Sequence, residues 1–126
     1  MTESTARYKK ILAVDDEAHM LRLIEYSLNN SGFNVVTAAS GHEGLEKIRS
    51  EKPDMILLDI RMPGLNGYEV CRMIKNEPSI SHIPVMFVSV AVDKDDAEIC
   101  GAQAYMSKPF TPRMLVDKVK LILEEG

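Results

Sequence analysis

Cysteine is scarce in this 126-residue chain, and its two copies, Cys71 and Cys100, form no C-x-x-C pair. They read as small core or half-buried residues, not as a disulfide or a metal pair. The three histidines, His19, His42 and His82, share no ligand spacing and fall on expected helix or loop surfaces, so ordinary solvated side chains are expected there. No apolar run approaches the roughly 20 residues needed to cross a bilayer, and the opening MTESTARYKK is too polar for a signal peptide. The expectation is a cytoplasmic chain without membrane contact. Positive charge is not in excess either: 15 Lys and Arg against 19 Asp and Glu leave a net charge of −4, without the basic stripe of a nucleic-acid binder. Nor does any low-complexity segment or linker divide the chain.

What is present fits one domain over residues 1–126, with residues 1–8 as a loose leader. Apolar residues make up 45% and charged residues 27%, enough for one buried core. ILAV (11–14), FNVVTA (33–38), MILL (55–58), VMFVS (85–89) and AYMS (104–107) read as strands. Several are nearly continuous apolar runs, as in strands covered on both faces of a parallel sheet. Helical spacing lies between them: Leu21, Ile24 and Leu28; Leu45 and Ile48; Val70, Met73 and Ile74; Leu115, Val119 and Ile122. Ser40 with Glu43 has capping-box spacing, and Thr111-Pro112 reads as an N-cap with proline in the first turn. Gly32 and Pro53 stand where helices should stop. The pattern is βα repeated five times, which predicts an α/β fold with right-handed crossovers and helices on both faces of one sheet. Met55, Met73, Met86 and Met114 are expected to fill core.

Sites in such sheets gather outside the carboxyl ends of the strands. Asp15-Asp16-Glu17 follows the first strand, Asp59 the third, Ser89 ends the fourth, and Lys108 follows the fifth. Singly, an Asp after a strand is usually a turn former. Together, three carboxylates at one pocket repel by on the order of 4 kcal/mol per close pair near a protein surface, so positive charge must meet them. Lys108 supplies one such charge, and a hard divalent cation with oxygen ligands would supply more. Mg²⁺ suits a shallow site of one or two carboxylates, water and phosphate better than Ca²⁺ does. A carboxylate in that setting can act as nucleophile on a phosphoryl group. Pro63, Gly64 and Gly67 are expected to bend the following loop so that its backbone approaches the metal or phosphate.

VDDE (14–17), LLDIRMPGLNG (57–67), VSVA (88–91) and GAQAYMSKPF (101–110), with the gaps between them, resemble the receiver domains of two-component response regulators. The likeness runs from about Lys10 to Glu124. It implies a doubly wound, flavodoxin-like five-stranded sheet of order 2-1-3-4-5 with five helices. It also implies that Asp59 accepts a phosphoryl group from a kinase phosphohistidine. Asp16 would bind Mg²⁺ directly and Asp15 through water, with the backbone carbonyl of Arg61 completing the metal site. Ser89 would bond the phosphoryl oxygen with Lys108 as its ammonium partner, and Tyr105 would rotate inward on activation. Pro109 would follow a cis bond.

The implied partners are a sensor histidine kinase or phosphotransfer protein and a downstream protein target, with no direct nucleic-acid contact. The implied behaviour is a conformational switch with at most slow autophosphatase activity. Two departures stand out. Val90 occupies a position usually small in the family, where it would slow phosphotransfer or dephosphorylation. The Ser89–Lys108 interval is short by about one helical turn, so the fourth helix should be stunted and start near Asp93–Asp96. Met62 and Leu65 are expected to be exposed beside the pocket and to help dock a kinase. An aspartyl-phosphate hydrolase of the haloacid dehalogenase type fits less well, since Arg61 stands where it needs an acid. A flavin or nucleotide carrier lacks a phosphate-cradling loop after the first strand. A receiver-like module acting without phosphate is the remaining alternative.

Overall fold

The computed structural model describes residues 8–90 and 92–125. The expected loose leader therefore lies outside the described residues except for Tyr8, as does Ala91 of the VSVA motif. The chain alternates β1 (Lys10–Val14), α1 (Ala18–Asn29), β2 (Asn34–Ala38), α2 (Gly41–Glu51), β3 (Met55–Leu58), α3 (Gly67–Lys75), β4 (Val85–Ser89), α4 (Lys94–Ile99), β5 (Ala104–Ser107) and α5 (Pro112–Glu125). All strand pairs are parallel, in the order β2-β1-β3-β4-β5. Both the sheet order and the shortened fourth helix agree with the expectation from sequence.

The apolar strands are buried on both faces because alternate residues feed two cores. Leu12, Val14, Ile56, Leu58 and Phe87 pack with Leu45, Ile48, Val70, Cys71 and Ile74 from α2 and α3. Ile11, Ala13, Leu57, Met86 and Val88 pack with Ile24, Leu28, Leu115 and Val119 from α1 and α5. Both cysteines are buried and unpaired, and the three histidines are exposed.

Caps fix where the helices begin. Ser40 Oγ accepts from Glu43 N–H at 3.1 Å, but the Glu43 carboxylate accepts from Ala39, one residue before the expected partner. A complete capping box forms at α3, between Asn66 and Glu69. Thr111 Oγ1 accepts from Met114 N–H at 3.1 Å, with Pro112 opening α5 as expected. Gly32 adopts φ +93 after α1, and Lys52, with φ 48, ends α2 just before Pro53.

Two methionines depart from the expected core. Met73 is 42% and Met114 49% exposed, because the buried stripes run through Val70, Cys71 and Ile74 on α3 and through Leu115 and Val119 on α5. The loop after β3 corrects a further expectation. Met62 is only 7% exposed and belongs to the core, and Leu65 is half-buried against it, so neither offers a kinase an exposed side chain. The cause is a loop that folds back on itself. Gly67 N–H donates to the Ile60 carbonyl at 2.8 Å, turning Met62 inward. Gly64 supplies the left-handed turn at φ +80. At Gly67 a Cβ would strike the Asp59 carbonyl and come within 2.8 Å of Ile60 Cα. The smallness of this glycine lets α3 start against the end of its own strand.

Candidate functional site

Because β3 lies between β1 and β4, the carboxyl ends of β1, β3, β4 and β5 form one rim. Asp15 and Asp59 follow adjacent strands, and the Asp59 N–H continues their ladder by donating to the Val14 carbonyl at 2.9 Å. On the other side of the rim, Lys108 N–H donates to the Ser89 carbonyl at 2.9 Å, joining the ends of β4 and β5. Asp16, Glu17, Asp59, Arg61, Ser89, Val90 and Lys108 line a cleft of about 230 Å³, with Asp15 buried beneath it.

The acids converge as the sequence predicted. Carboxylate oxygens of Asp15, Asp16 and Asp59 lie within 4.8 Å of one another, Asp16 exposed and the other two buried. Lys108 Nζ stands 2.8 Å from Asp15 Oδ2, 3.8 Å from Asp59 Oδ2 and 4.0 Å from Glu17 Oε1. One ammonium thus faces three carboxylates. Two of those are also held by backbone amides, Asp15 Oδ1 by Glu17 N–H and Asp59 Oδ1 by Ile60 N–H, each at 2.9 Å. Burial, and then the Asp15 charge, push the Asp59 carboxyl above the ordinary aspartate range; the Ser89 hydroxyl, Lys108 and the Ile60 amide pull against them. Excess negative charge around a shallow set of oxygen donors is the chemistry a hard divalent cation satisfies, so the three aspartates fit Mg²⁺.

Ser89 adds an unspent donor. Its Oγ is fully buried and close enough to the Asp59 carboxylate to help hold that group down, yet it completes no well-formed hydrogen bond among the described residues, so it can still donate to an incoming acceptor. Val90 is 64% exposed at the rim and is one of the residues lining the cleft. Arg61 is exposed at the mouth. Tyr105 does not reach the cleft: it is 39% exposed in a separate groove with Met106, Met114 and Leu121, between β5 and α5. The Lys108–Pro109 peptide is cis. Glu17 was not among the candidate residues. Its signal was adjacency to the Asp15-Asp16 pair at a strand end.

A family model described as "Response regulator receiver domain" matches residues 11–120. The chain belongs to this family. Among the relatives of this receiver domain, the alkaline phosphatase synthesis transcriptional regulatory protein PhoP of Bacillus subtilis is 41% identical over 121 residues, which is 94% of this chain and 50% of that protein. The receiver domain spans about half the length of the curated relatives it matches. Two solved structures share its fold. A putative response regulator from Chloroflexus aurantiacus has a TM-score of 0.88 at 32% identity, covering 94% of this chain and 99% of that one. The chemotaxis response regulator CheY4 of Vibrio cholerae has a TM-score of 0.87 at 27% identity, covering 91% and 98%. This is a signalling domain of two-component systems and not a member of a catalytic enzyme family. No helix among the described residues is long and apolar enough to cross a membrane.

Proposed function

We propose that this receiver domain accepts a phosphoryl group on Asp59 from the phosphohistidine of a sensor histidine kinase or phosphotransfer protein. The observation that carries the reading is the Asp59 carboxylate at a strand end, within 4.8 Å of two further aspartate oxygens and 3.8 Å from the Lys108 ammonium. A carboxylate oxygen of Asp59 forms a bond to phosphorus while the P–N bond breaks, its electron pair returning to the donor imidazole. Asp15, Asp16 and Asp59, with the Arg61 carbonyl, would hold Mg²⁺, which supplies charge neutralisation to the transferring group.

Lys108 neutralises the acids and then a phosphoryl oxygen. Ser89 offers its unpaired hydroxyl to another. The group left on Asp59 carries about −1.5 to −2 charges, enough to draw both donors inward and bias a two-state element that a downstream protein reads. Tyr105, exposed in the unmodified protein, is the residue that would turn inward as Ser89 moves. At most slow hydrolysis of the acyl phosphate belongs to this reading. The working compartment is the cytoplasm, and the domain itself makes no nucleic-acid contact.

The test is intact mass after incubation with acetyl phosphate and Mg²⁺. A single phosphoryl adduct is expected, labile to hydroxylamine, absent with a chelator and absent in Asp59→Asn. Equal incorporation by the Asn variant overturns the assignment.

A further inference from the structure

Helix α4 is the shortest of the five. It has six residues, of which only Ala97 is buried, and Ile99 is 79% exposed. A helix this short is not stable on its own account and depends on what surrounds it. Its N-terminus shows that dependence. Asp93 is the N-cap and its carboxylate accepts from Asp96 N–H at 3.1 Å, which is half of a capping box. The other half, the Asp93 N–H, is not taken by the helix's own third residue. At α3 that position is Glu69, which reaches back to Asn66 N–H at 2.9 Å. At α4 it is Asp96, one methylene shorter. The Asp93 N–H instead donates 3.0 Å to the hydroxyl of Tyr68, on α3.

Tyr68 touches the rest of this region as well. Its ring meets Phe87 edge-on, with centroids 5.2 Å apart. Phe87 lies two residues before Ser89 on β4, so their side chains share a face of the strand. The Tyr68 carbonyl accepts from Cys100 Sγ, the C-cap of α4, at 3.7 Å, and Cys71 Sγ donates to the Cys100 carbonyl at 3.4 Å. Both ends of α4 are therefore fastened to α3, and only three residues of sequence separate the fastened Asp93 from Ser89.

We propose that Tyr68 is a positioning residue whose hydroxyl, by completing the cap of α4 from α3, holds α4 and the end of β4 in the unphosphorylated arrangement. The inference rests on the phosphoacceptor reading of Asp59. When Ser89 is drawn toward a phosphoryl oxygen, the end of β4 shifts with Phe87 against the Tyr68 ring, and the Asp93–Tyr68 bond is given up. Tyr68 thus opposes the switch, and does so from a residue that touches neither the metal-binding acids nor the transferred group.

The test compares Tyr68→Phe, which keeps the ring against Phe87 and removes only the hydroxyl, with Tyr68→Phe/Asp96→Glu. In the double variant the longer acid restores a self-contained cap without restoring the link to α3. Two measurements are made: amide hydrogen exchange of residues 94–100 in the unmodified protein, and affinity for beryllofluoride with Mg²⁺ as the phosphoryl mimic. Tyr68→Phe should exchange faster in α4 and bind beryllofluoride tighter, each by about three- to tenfold, the span that one net hydrogen bond represents. The double variant should recover slow exchange and keep the tighter binding.

Unchanged α4 exchange in Tyr68→Phe overturns the proposal without involving the phosphoacceptor site. Affinity that returns to the parent value together with the exchange rate overturns it too, because Tyr68 would then act only through helix stability. Failure of the parent protein to bind beryllofluoride overturns the Asp59 reading, and the latch with it. Should Tyr68→Phe not fold, Asp96→Glu alone decides: competition for the Asp93 N–H should tighten beryllofluoride binding, and unchanged binding refutes the latch.

Discussion

Lys108 Nζ is 1.0 Å closer to Asp15 than to Asp59, the residue assigned here as phosphoacceptor, at 2.8 Å against 3.8 Å. Before phosphorylation, then, the ammonium is held chiefly by the buried acid beneath the cleft. Its side chain is 8% exposed and that of Asp15 3%, so this is a buried ion pair whose partners depend on each other. Removing one partner of such a pair leaves an uncompensated buried charge. Lys108→Met should lose about 3 kcal/mol of stability at pH 7 in urea unfolding. It should also lower Mg²⁺-dependent phosphorylation. Since Lys108 pulls the Asp59 carboxyl down, its loss moves that group further up, and the stability deficit should shrink as the pH falls and Asp59 takes a proton.

Asp59 itself predicts an opposite effect on stability. Its carboxyl titrates above the ordinary value of 3.8, chiefly through burial. The folded state therefore binds this proton more tightly than the unfolded chain does. The contribution is complete below the unfolded value and is lost as pH rises through the folded one. At neutral pH the ionised group is a liability, so Asp59→Asn should raise Tm, by about 2–5 °C for a gain near 1 kcal/mol. The gain should vanish near pH 3. A variant less stable than the parent at pH 7 would contradict the electrostatic account of the cleft.

Divalent cation should relieve the same repulsion. At ten times its dissociation constant Mg²⁺ should add about 1.4 kcal/mol to the unfolding free energy, read as a rise in Tm. Asp16→Asn, exposed and outside the Lys108 pairing, should remove most of that rise while changing the metal-free Tm little.

The two loop glycines should respond differently to alanine. Gly64 has open space around its Cβ position and only its φ of +80 to lose, so Gly64→Ala should cost about 1 kcal/mol. Gly67→Ala drives a methyl group into the backbone of Asp59 and Ile60 and should cost clearly more, about 2 kcal/mol or above. Urea unfolding of both variants separates conformational strain from steric exclusion.

Much of this was readable beforehand because the informative signals are local or tied to strand ends. The strands announced themselves as apolar runs, and the acids, the serine and the lysine each followed one directly. That adjacency turns sequence position into spatial position once the sheet order is known. Misplaced residues have a common cause. Met62 and Leu65 stand in a polar-looking turn, and only the Gly67–Ile60 hydrogen bond, which folds the loop inward, buries the first and half-buries the second. Met73 directly precedes the buried Ile74 on α3 but lies around the helix from the stripe of Val70, Cys71 and Ile74. The Tyr68–Asp93 contact spans 25 positions and joins a phenol to a backbone amide, a pairing that no spacing rule marks.

Two backbone bonds at the rim couple its functional groups in pairs. Val14 and Asp59 are tied together, so the acids travel with the middle of the sheet; Ser89 and Lys108 are tied together, so hydroxyl and ammonium travel with its outer margin. Recruitment of either donor by a bound anion must therefore carry the other along. On the phosphoacceptor reading, hydroxyl and ammonium would then act as one unit, and any displacement they make would be felt first along the margin formed by β4 and β5.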